Sequence, residues 1–155
     1  MSTLARTNDV APQQAAARAA TQGNEIFGVA RAVPAIGRLL LAALFLLSGA
    51  GKLLDPSGTT QYIASVHVPA PLFAYAAAVV AEVFGGIFLV IGYRTRVAAA
   101  LLAVYTLLAA ILFHANWADV NNMIHFMKNI AIIGGLLQVT AFGAGPFSVD
   151  NRKRS

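Results

Sequence analysis

A single carboxylate, Glu82, lies in the middle of the apolar stretch PLFAYAAAVVAEVFGGIFLVIG, which runs from Pro71 to Gly92. About 20 apolar residues span the ~30 Å hydrocarbon core of a bilayer, so this stretch is long enough to cross a membrane. A lone carboxylate at that depth costs at least ~2.5 kcal/mol unless it is compensated. Glu82 must therefore be ion-paired, protonated or in contact with water, and it serves either as structural glue or as a functional group.

Two lysines are candidate partners for Glu82, and helix direction separates them. The Cα–Cβ bonds of an α-helix tilt toward its N-terminus. Lys52 ends an apolar stretch that precedes the stretch of Glu82, so its side chain leans back toward the carboxylate, whereas the Lys128 side chain leans away. We therefore predict a Glu82–Lys52 pair, with Ser48 as a second donor one helical turn from Lys52. The alternative for each lysine is snorkelling of the ammonium group to the membrane interface.

Two histidines add polar groups to the same half of the membrane. His114 ends one apolar stretch, and His125 begins the next, where it shares a helix face with Lys128. Asn129 widens that polar face. Interfacial rings with satisfied N–H groups are the alternative interpretation of both histidines. The sequence thus predicts an intramembrane polar cluster of five residues, with three secondary polar residues. The cluster is Lys52, Glu82, His114, His125 and Lys128, and the secondary residues are Ser48, Arg96 and Asn129.

Several kinds of chemistry have no signature in the chain. It contains no cysteine, which excludes disulfides and thiolate metal sites. The spacing of the histidines is not diagnostic of zinc or haem, so no metal site is predicted. Phosphate-binding loops, nucleophile elbows and metalloprotease helices are missing from the sequence. The net charge of +5 does not indicate nucleic acid, because the basic residues flank apolar segments.

Four apolar segments must position these residues: 34–54, 71–91, 97–113 and 124–142. The chain is 58% hydrophobic and only 11% charged, whereas soluble domains carry about 25% charged residues. Each segment approaches the length of a spanning helix, and lipid cannot satisfy free backbone groups, so we predict an all-α integral membrane four-helix bundle. Glycines within the segments indicate close helix packing.

The basic residues predict the orientation of the bundle. Nine of the eleven lie on one side: Arg6, Arg18, Arg31, Arg38, Arg94, Arg96, Arg152, Lys153 and Arg154. The positive-inside rule then places both termini in the cytoplasm and the 55–70 and 115–123 loops outside. We divide the chain into a flexible cytoplasmic tail (1–33, with helical tendency near 13–20), the four-helix domain (34–142) and a cytoplasmic C-terminal tail (143–155). The location predicted is a bacterial inner membrane, crossed several times.

The order of five short motifs resembles the DoxX family of small four-helix bacterial membrane proteins. They are FLLSGAGKLLDP, VPAPLF, AEVFGGIFLVIGYRTR, MKNIAIIGG and FGAGPFSVD, and the resemblance covers about residues 36–150. The resemblance implies that Lys52, Glu82, Arg96 and Lys128 are recurrent polar positions. It does not extend to the histidines. It also implies an association with quinone-linked oxidases and oxidoreductases, by analogy only.

Three functions remain open from the sequence. The first is a non-catalytic membrane subunit or scaffold for a membrane or periplasmic partner. The second is a subunit of a quinone-linked redox or redox-stress system, in which His114, His125 and Lys128 donate hydrogen bonds to a quinone. The third is a small transporter or proton path that uses Glu82. The sequence does not decide whether the protein is an enzyme, and it favours a protein with no independent catalytic activity. Quinone is the one candidate cofactor, and the candidate partners are the lipid bilayer, a membrane or periplasmic protein and a second copy of the chain.

Overall fold

The structure is a computed structural model that describes the backbone of residues 10–152 and the side chains of residues 13–15, 18 and 28–152. The helices are α1 (Val10–Leu54), α2 (Pro56–Ser65), α3 (Pro71–Ile91), α4 (Thr95–His114), α5 (Val120–Phe142) and α6 (Val149–Arg152). Four of them, namely α3, α4, α5 and the Gly28–Leu54 part of α1, are long and apolar enough to cross a membrane. The predicted all-α four-helix membrane fold is confirmed, and its orientation stays a prediction.

The four long helices pack as two pairs, α1 with α3 and α4 with α5, joined mainly through contacts between α3 and α4. The core between them contains Ala42, Phe45, Leu89, Leu102 and Leu136. Two glycines bring α1 and α3 close together. A methyl group on Gly49 would lie 2.9 Å from Val83 Cγ2, and one on Gly86 would lie 2.8 Å from Leu46 Cδ2. These contacts agree with the packing role predicted for the glycines.

The outer faces of the bundle are covered by large apolar side chains. Leu47, Phe84 and Leu101 are all more than half exposed. In water such a surface would be far larger than the few hundred Å² that a soluble monomer exposes. These faces are suited to contact with lipid tails.

Helix α1 begins well before the predicted first span. The backbone is helical from Val10 onward, where a flexible tail was expected. The physical reason is composition: residues 10–33 are rich in alanine, which has the highest helix propensity. At 1.5 Å per residue the 45 residues of α1 extend about 68 Å, more than a bilayer is thick. The parts of the predicted tails at residues 1–9 and 153–155 lie outside the described residues.

A short helix, α2, occupies most of the predicted 55–70 loop. It begins with a side-chain cap, because the Asp55 carboxylate accepts a hydrogen bond from the Gly58 N–H at 2.9 Å. Pro56 at the first helical position is pre-organised for a helix and has no N–H to satisfy. Ile63 is buried against the bundle. Helix α2 therefore covers the end of the bundle at which α1 finishes.

Candidate functional site

Lys52 and Glu82 form an ion pair between α1 and α3. The Lys52 Nζ lies 2.9 Å from Glu82 Oε1 and 2.8 Å from Oε2. Glu82 is 4% exposed, while the Lys52 side chain is 23% exposed. Because α1 and α3 are antiparallel, the Lys52 side chain leans back along α1 toward the middle of α3. The predicted partner of Glu82 is the one found in the structure.

Two hydroxyl groups complete the environment of the ion pair. Ser48 Oγ donates to Glu82 Oε1 at 3.1 Å and accepts from Lys52 Nζ at 2.8 Å. Tyr105 reaches across from α4, and its hydroxyl donates to the same oxygen, Oε1, at 2.6 Å. A buried carboxylate is stabilised only when its charge is paired and its lone pairs are hydrogen-bonded. Two helices, α1 and α4, therefore supply the hydrogen-bond donors to one buried carboxylate on a third helix, α3.

A cavity of 430 Å³ opens beside this ion pair. Its wall is largely apolar and includes Phe45, Ala78 and Leu112. Polar side chains face it from several helices. They are Ser48, Lys52, Thr59, Tyr62, Glu82, Tyr105, Thr106, His114 and Asn129. Helix α2 contributes to the cover, because the Tyr62 ring stacks on Phe113 with the ring centroids 5.5 Å apart. The volume lies within the 300–1,000 Å³ usual for small-molecule sites.

The two histidines lie together, and only one of them lines the cavity. The rings of His114 and His125 stack with centroids 5.0 Å apart. His114 Nδ1 lies 3.4 Å from the Asn122 side-chain oxygen. His114 and Asn129 line the cavity, whereas His125 does not. Among the described residues no group of three potential metal ligands comes together.

Two other predicted positions lie away from the ion pair. Lys128 is exposed on α5 and is not among the residues that line the cavity. Arg96 is exposed near the start of α4, at the opposite end of the bundle, where its guanidinium lies over Gly143. The structure thus brings Lys52, Glu82 and Ser48 together, places His114 and Asn129 around the same cavity, and separates Lys128 and Arg96 from them.

A second buried cation, Arg38, binds the segment that follows α5. Its guanidinium donates to the backbone carbonyl of Ala144 and, at 2.9 Å, to that of Phe147. Arg38 is 3% exposed. The sequence indicated Arg38 only as an orientation signal, because its partners are carbonyl groups that any residue supplies. The C-terminal segment is therefore fixed to the bundle by a side chain from α1.

The same segment also caps α4. The Asp150 carboxylate accepts hydrogen bonds from the backbone N–H groups of Arg94 at 2.8 Å and Thr95 at 2.9 Å. The Asp150 N–H donates to the Gly92 carbonyl at 2.9 Å. A carboxylate at this position satisfies free N–H groups and interacts favourably with the helix dipole.

Tyr105 is the site residue that sequence reasoning missed. It lies ten residues into α4, too deep for the membrane interface where tyrosine is common. A hydroxyl group at that depth needs a hydrogen-bond partner, and this depth was the available signal. Thr59 and Tyr62 were missed because α2 itself was taken as loop.

The fold and the site define a small multi-pass membrane protein whose spanning helices surround a hydrogen-bonded ion pair beside a cavity. The DoxX family profile matches residues 33–115, which include α2, α3, α4 and the spanning part of α1 after Ala32. The chain belongs to the DoxX family, as the resemblance of the five motifs indicated.

Individual relatives support the same assignment. The chain is 38% identical over 115 residues to the inner membrane protein YqjF of Escherichia coli, covering 74% of this chain and 87% of that protein. It is 39% identical over 132 residues to the E. coli inner membrane protein YphA, covering 81% and 94%. A more partial similarity, 38% over 81 residues, links it to the ER-derived vesicles protein ERV29 of Saccharomyces cerevisiae, of which it covers 26%.

The comparisons also bear on location. Both E. coli relatives are named as inner membrane proteins, and four helices of this chain are able to span a membrane. The predicted multi-pass inner-membrane location is confirmed. No solved structure matches the chain at a significant level.

Proposed function

We propose that the chain is a membrane subunit that binds the headgroup of a lipid-soluble ring compound, of the quinone class, in the cavity beside Lys52 and Glu82. The observation that carries the proposal is the combination of a 430 Å³ largely apolar cavity with a buried ion pair in its wall. An apolar cavity with a few convergent polar groups is the usual form of a small-molecule site.

The cavity suits a molecule with an apolar body and a polar end. Phe45, Ala78 and Leu112 offer apolar contacts to a ring or tail, while Glu82 and Tyr105 offer polar atoms to a headgroup. In this proposal the chain holds the ligand for a partner, as a non-catalytic subunit would. With the predicted orientation the cavity lies in the outer half of the membrane, so the partner is a membrane or periplasmic protein.

The hydrogen bonds and the counter-ion of Glu82 support a ligand-binding function rather than a proton path. All the hydrogen-bond donors around it point at the carboxylate in a charge-neutral arrangement, with Lys52 as the counter-ion. Carrying a proton would neutralise the carboxylate and leave the Lys52 ammonium without its charged partner. The four spanning helices also contain no broken helix of the kind that carries transport sites.

Binding to a variant with a filled cavity tests the proposal. Ala109 lines the cavity, so Ala109→Phe places a ring in it, whereas Ala131→Phe adds the same ring at an exposed position on α5. The full chain in lipid nanodiscs is titrated by calorimetry with a benzoquinone that carries a ten-carbon tail, in oxidised and reduced form. We expect saturable binding of at least one form, at least tenfold weaker in Ala109→Phe and unchanged in Ala131→Phe.

The opposite results are equally clear. If neither form binds saturably to the wild-type chain, the ligand-binding proposal is wrong and the scaffold function gains support. If binding occurs and Ala109→Phe weakens it no more than Ala131→Phe does, the ligand lies elsewhere on the bundle.

A further inference from the structure

The polar groups at the ion pair, Lys52, Ser48 and Tyr105, direct all their side-chain hydrogen-bond donors at partners within the protein. The three N–H bonds of the Lys52 ammonium are directed at Ser48 Oγ and the two Glu82 oxygens. The hydroxyl groups of Ser48 and Tyr105 donate to Glu82. Two threonines that line the cavity donate to backbone carbonyl groups, Thr59 at 2.8 Å and Thr106 at 2.7 Å.

Hydrogen-bond acceptors remain available at the same site. Glu82 Oε1 accepts from Ser48, Lys52 and Tyr105, but Oε2 accepts only from Lys52. A carboxylate oxygen has about two acceptor sites, so Oε2 can accept one more hydrogen bond. Hydroxyl oxygens that donate, such as those of Tyr105 and Thr106, also keep acceptor capacity.

His114 follows the same pattern. Its Nδ1 lies 3.4 Å from the side-chain oxygen of Asn122, which can only accept, so the contact is satisfied by the tautomer with the hydrogen on Nδ1. The other ring nitrogen, Nε2, is then an acceptor. The side chains of Asn129 and Tyr62 make no hydrogen bond to other described residues, and each can both donate and accept, so these two groups do not discriminate between ligands. The sequence suggested a histidine and lysine site that donates, whereas in the structure the ion pair presents a free acceptor, Glu82 Oε2, to the cavity.

We propose that the cavity selects a ligand by its hydroxyl hydrogen, and so binds a hydroquinone more tightly than the corresponding quinone. This inference rests on the proposed function and adds the redox state of the ligand to it. A hydroquinone O–H can donate to Glu82 Oε2, and the bond is strong because the acceptor is charged. A quinone carbonyl would place a second acceptor against that oxygen with no hydrogen between them.

The preference is expected to be large. Sites built to hydrogen-bond a ligand hydroxyl reject the analogue that lacks it, because the buried polar group is left unpaired. We expect at least tenfold tighter binding of the hydroquinone, which corresponds to about 1.4 kcal/mol. For a two-electron couple, a tenfold preference raises the midpoint potential of the bound couple by about 30 mV.

Three ligands with the same ten-carbon tail test this: the benzoquinone, its hydroquinone and the dimethyl ether of the hydroquinone. Affinities are measured without oxygen on the full chain in nanodiscs. The ether keeps the ring and both oxygens but has no hydrogen to donate. We expect the hydroquinone to bind at least tenfold more tightly than either of the others. If the quinone or the ether binds as tightly as the hydroquinone, the selectivity is wrong while the proposed function stands. If none of the three binds, both are wrong.

A double variant tests whether the Lys52–Glu82 pair causes the preference for hydroquinone. The double substitution Lys52→Met with Glu82→Gln removes both charges together, so neither is stranded. We expect its preference for hydroquinone over quinone to fall below threefold, at an unchanged content of helix. Lys128→Met, exposed and outside the cavity, should keep the full preference. If the double variant keeps the tenfold preference, Glu82 is not the acceptor and the inference is overturned.

Discussion

Removing one member of the Lys52–Glu82 pair should destabilise the bundle strongly. In Glu82→Ala the Lys52 ammonium loses both carboxylate contacts and keeps only Ser48 Oγ as a partner. Breaking a buried pair costs about 3–5 kcal/mol. Because 23% of the Lys52 side chain is exposed, we expect the lower end of that range, about 3 kcal/mol. Lys52→Met should cost a similar amount, since it leaves a carboxylate that is almost completely buried.

The double variant distinguishes this mechanism from a simple loss of packing. Replacing both charges at once, by Lys52→Met with Glu82→Ala, strands neither of them. We expect it to recover at least half of the summed losses of the two single variants, which corresponds to a coupling energy of about 3 kcal/mol or more between the two positions. The assay is unfolding in mixed micelles as the fraction of SDS is raised, followed by circular dichroism.

A second lysine supplies the matched control. Lys128 is exposed on α5 and outside the cavity, so Lys128→Met should change the free energy of unfolding by less than about 0.5 kcal/mol. Combined with Glu82→Ala, it should recover nothing. Additive losses for Lys52→Met with Glu82→Ala, or recovery through Lys128→Met, would refute the pairing as the cause. If the double variant is stable but binds no ligand, the pair has a role in ligand binding. If it is stable and still binds the ligand, the pair only stabilises the bundle.

Further tests concern the end of the bundle opposite the ion pair and the orientation of the chain. Gly92 has a φ of 67°, and a methyl group there would lie 2.9 Å from an Arg38 nitrogen, so Gly92→Ala should cost about 2 kcal/mol or more. Gly134→Ala, which meets no atom within 4 Å, should be neutral or slightly stabilising in the same unfolding assay. Asp150→Asn should cost about 1 kcal/mol, because the charge at the start of α4 is lost; no change would show that the cap is not needed. A single cysteine at Asn151 should react with an impermeant thiol reagent from the cytoplasmic side only. A single cysteine at Ser57 should react from the outer side only, and the reverse pattern would overturn the orientation.

The partner of Glu82 could be predicted because physical constraints leave few choices. A carboxylate in a long apolar stretch needs a counter-ion, and the direction of the Cα–Cβ bonds favours Lys52 over Lys128. The four spans could be predicted for a similar reason, since length and composition alone determine them. The ends of the spans could not be predicted in this way. Helices α4 and α5 both extend beyond the predicted segments.

The rest of the site depends on helix rotation, which this sequence does not encode clearly. Lys128 and Asn129 are neighbours on one polar face of α5, so the sequence does not indicate that Asn129 turns toward the cavity and Lys128 away from it. The contact of Tyr105 with Glu82 depends in the same way on how α4 rotates against α3. Helix α2 was missed because its apolar face is short, with Ile63 as its one buried residue.

The hydrogen bonds of Arg38 have a consequence for biosynthesis. Its two acceptor carbonyls lie 106 and 109 residues later in the chain. At a synthesis rate of about 5–20 residues per second, the guanidinium is made about 5–20 s before those carbonyls exist. During that interval α1 must keep a charge in water, at a lipid headgroup or in the insertion machinery. The first span therefore reaches its final environment only when the last residues have been made, and a chain truncated before Ala144 would carry a buried charge with neither acceptor.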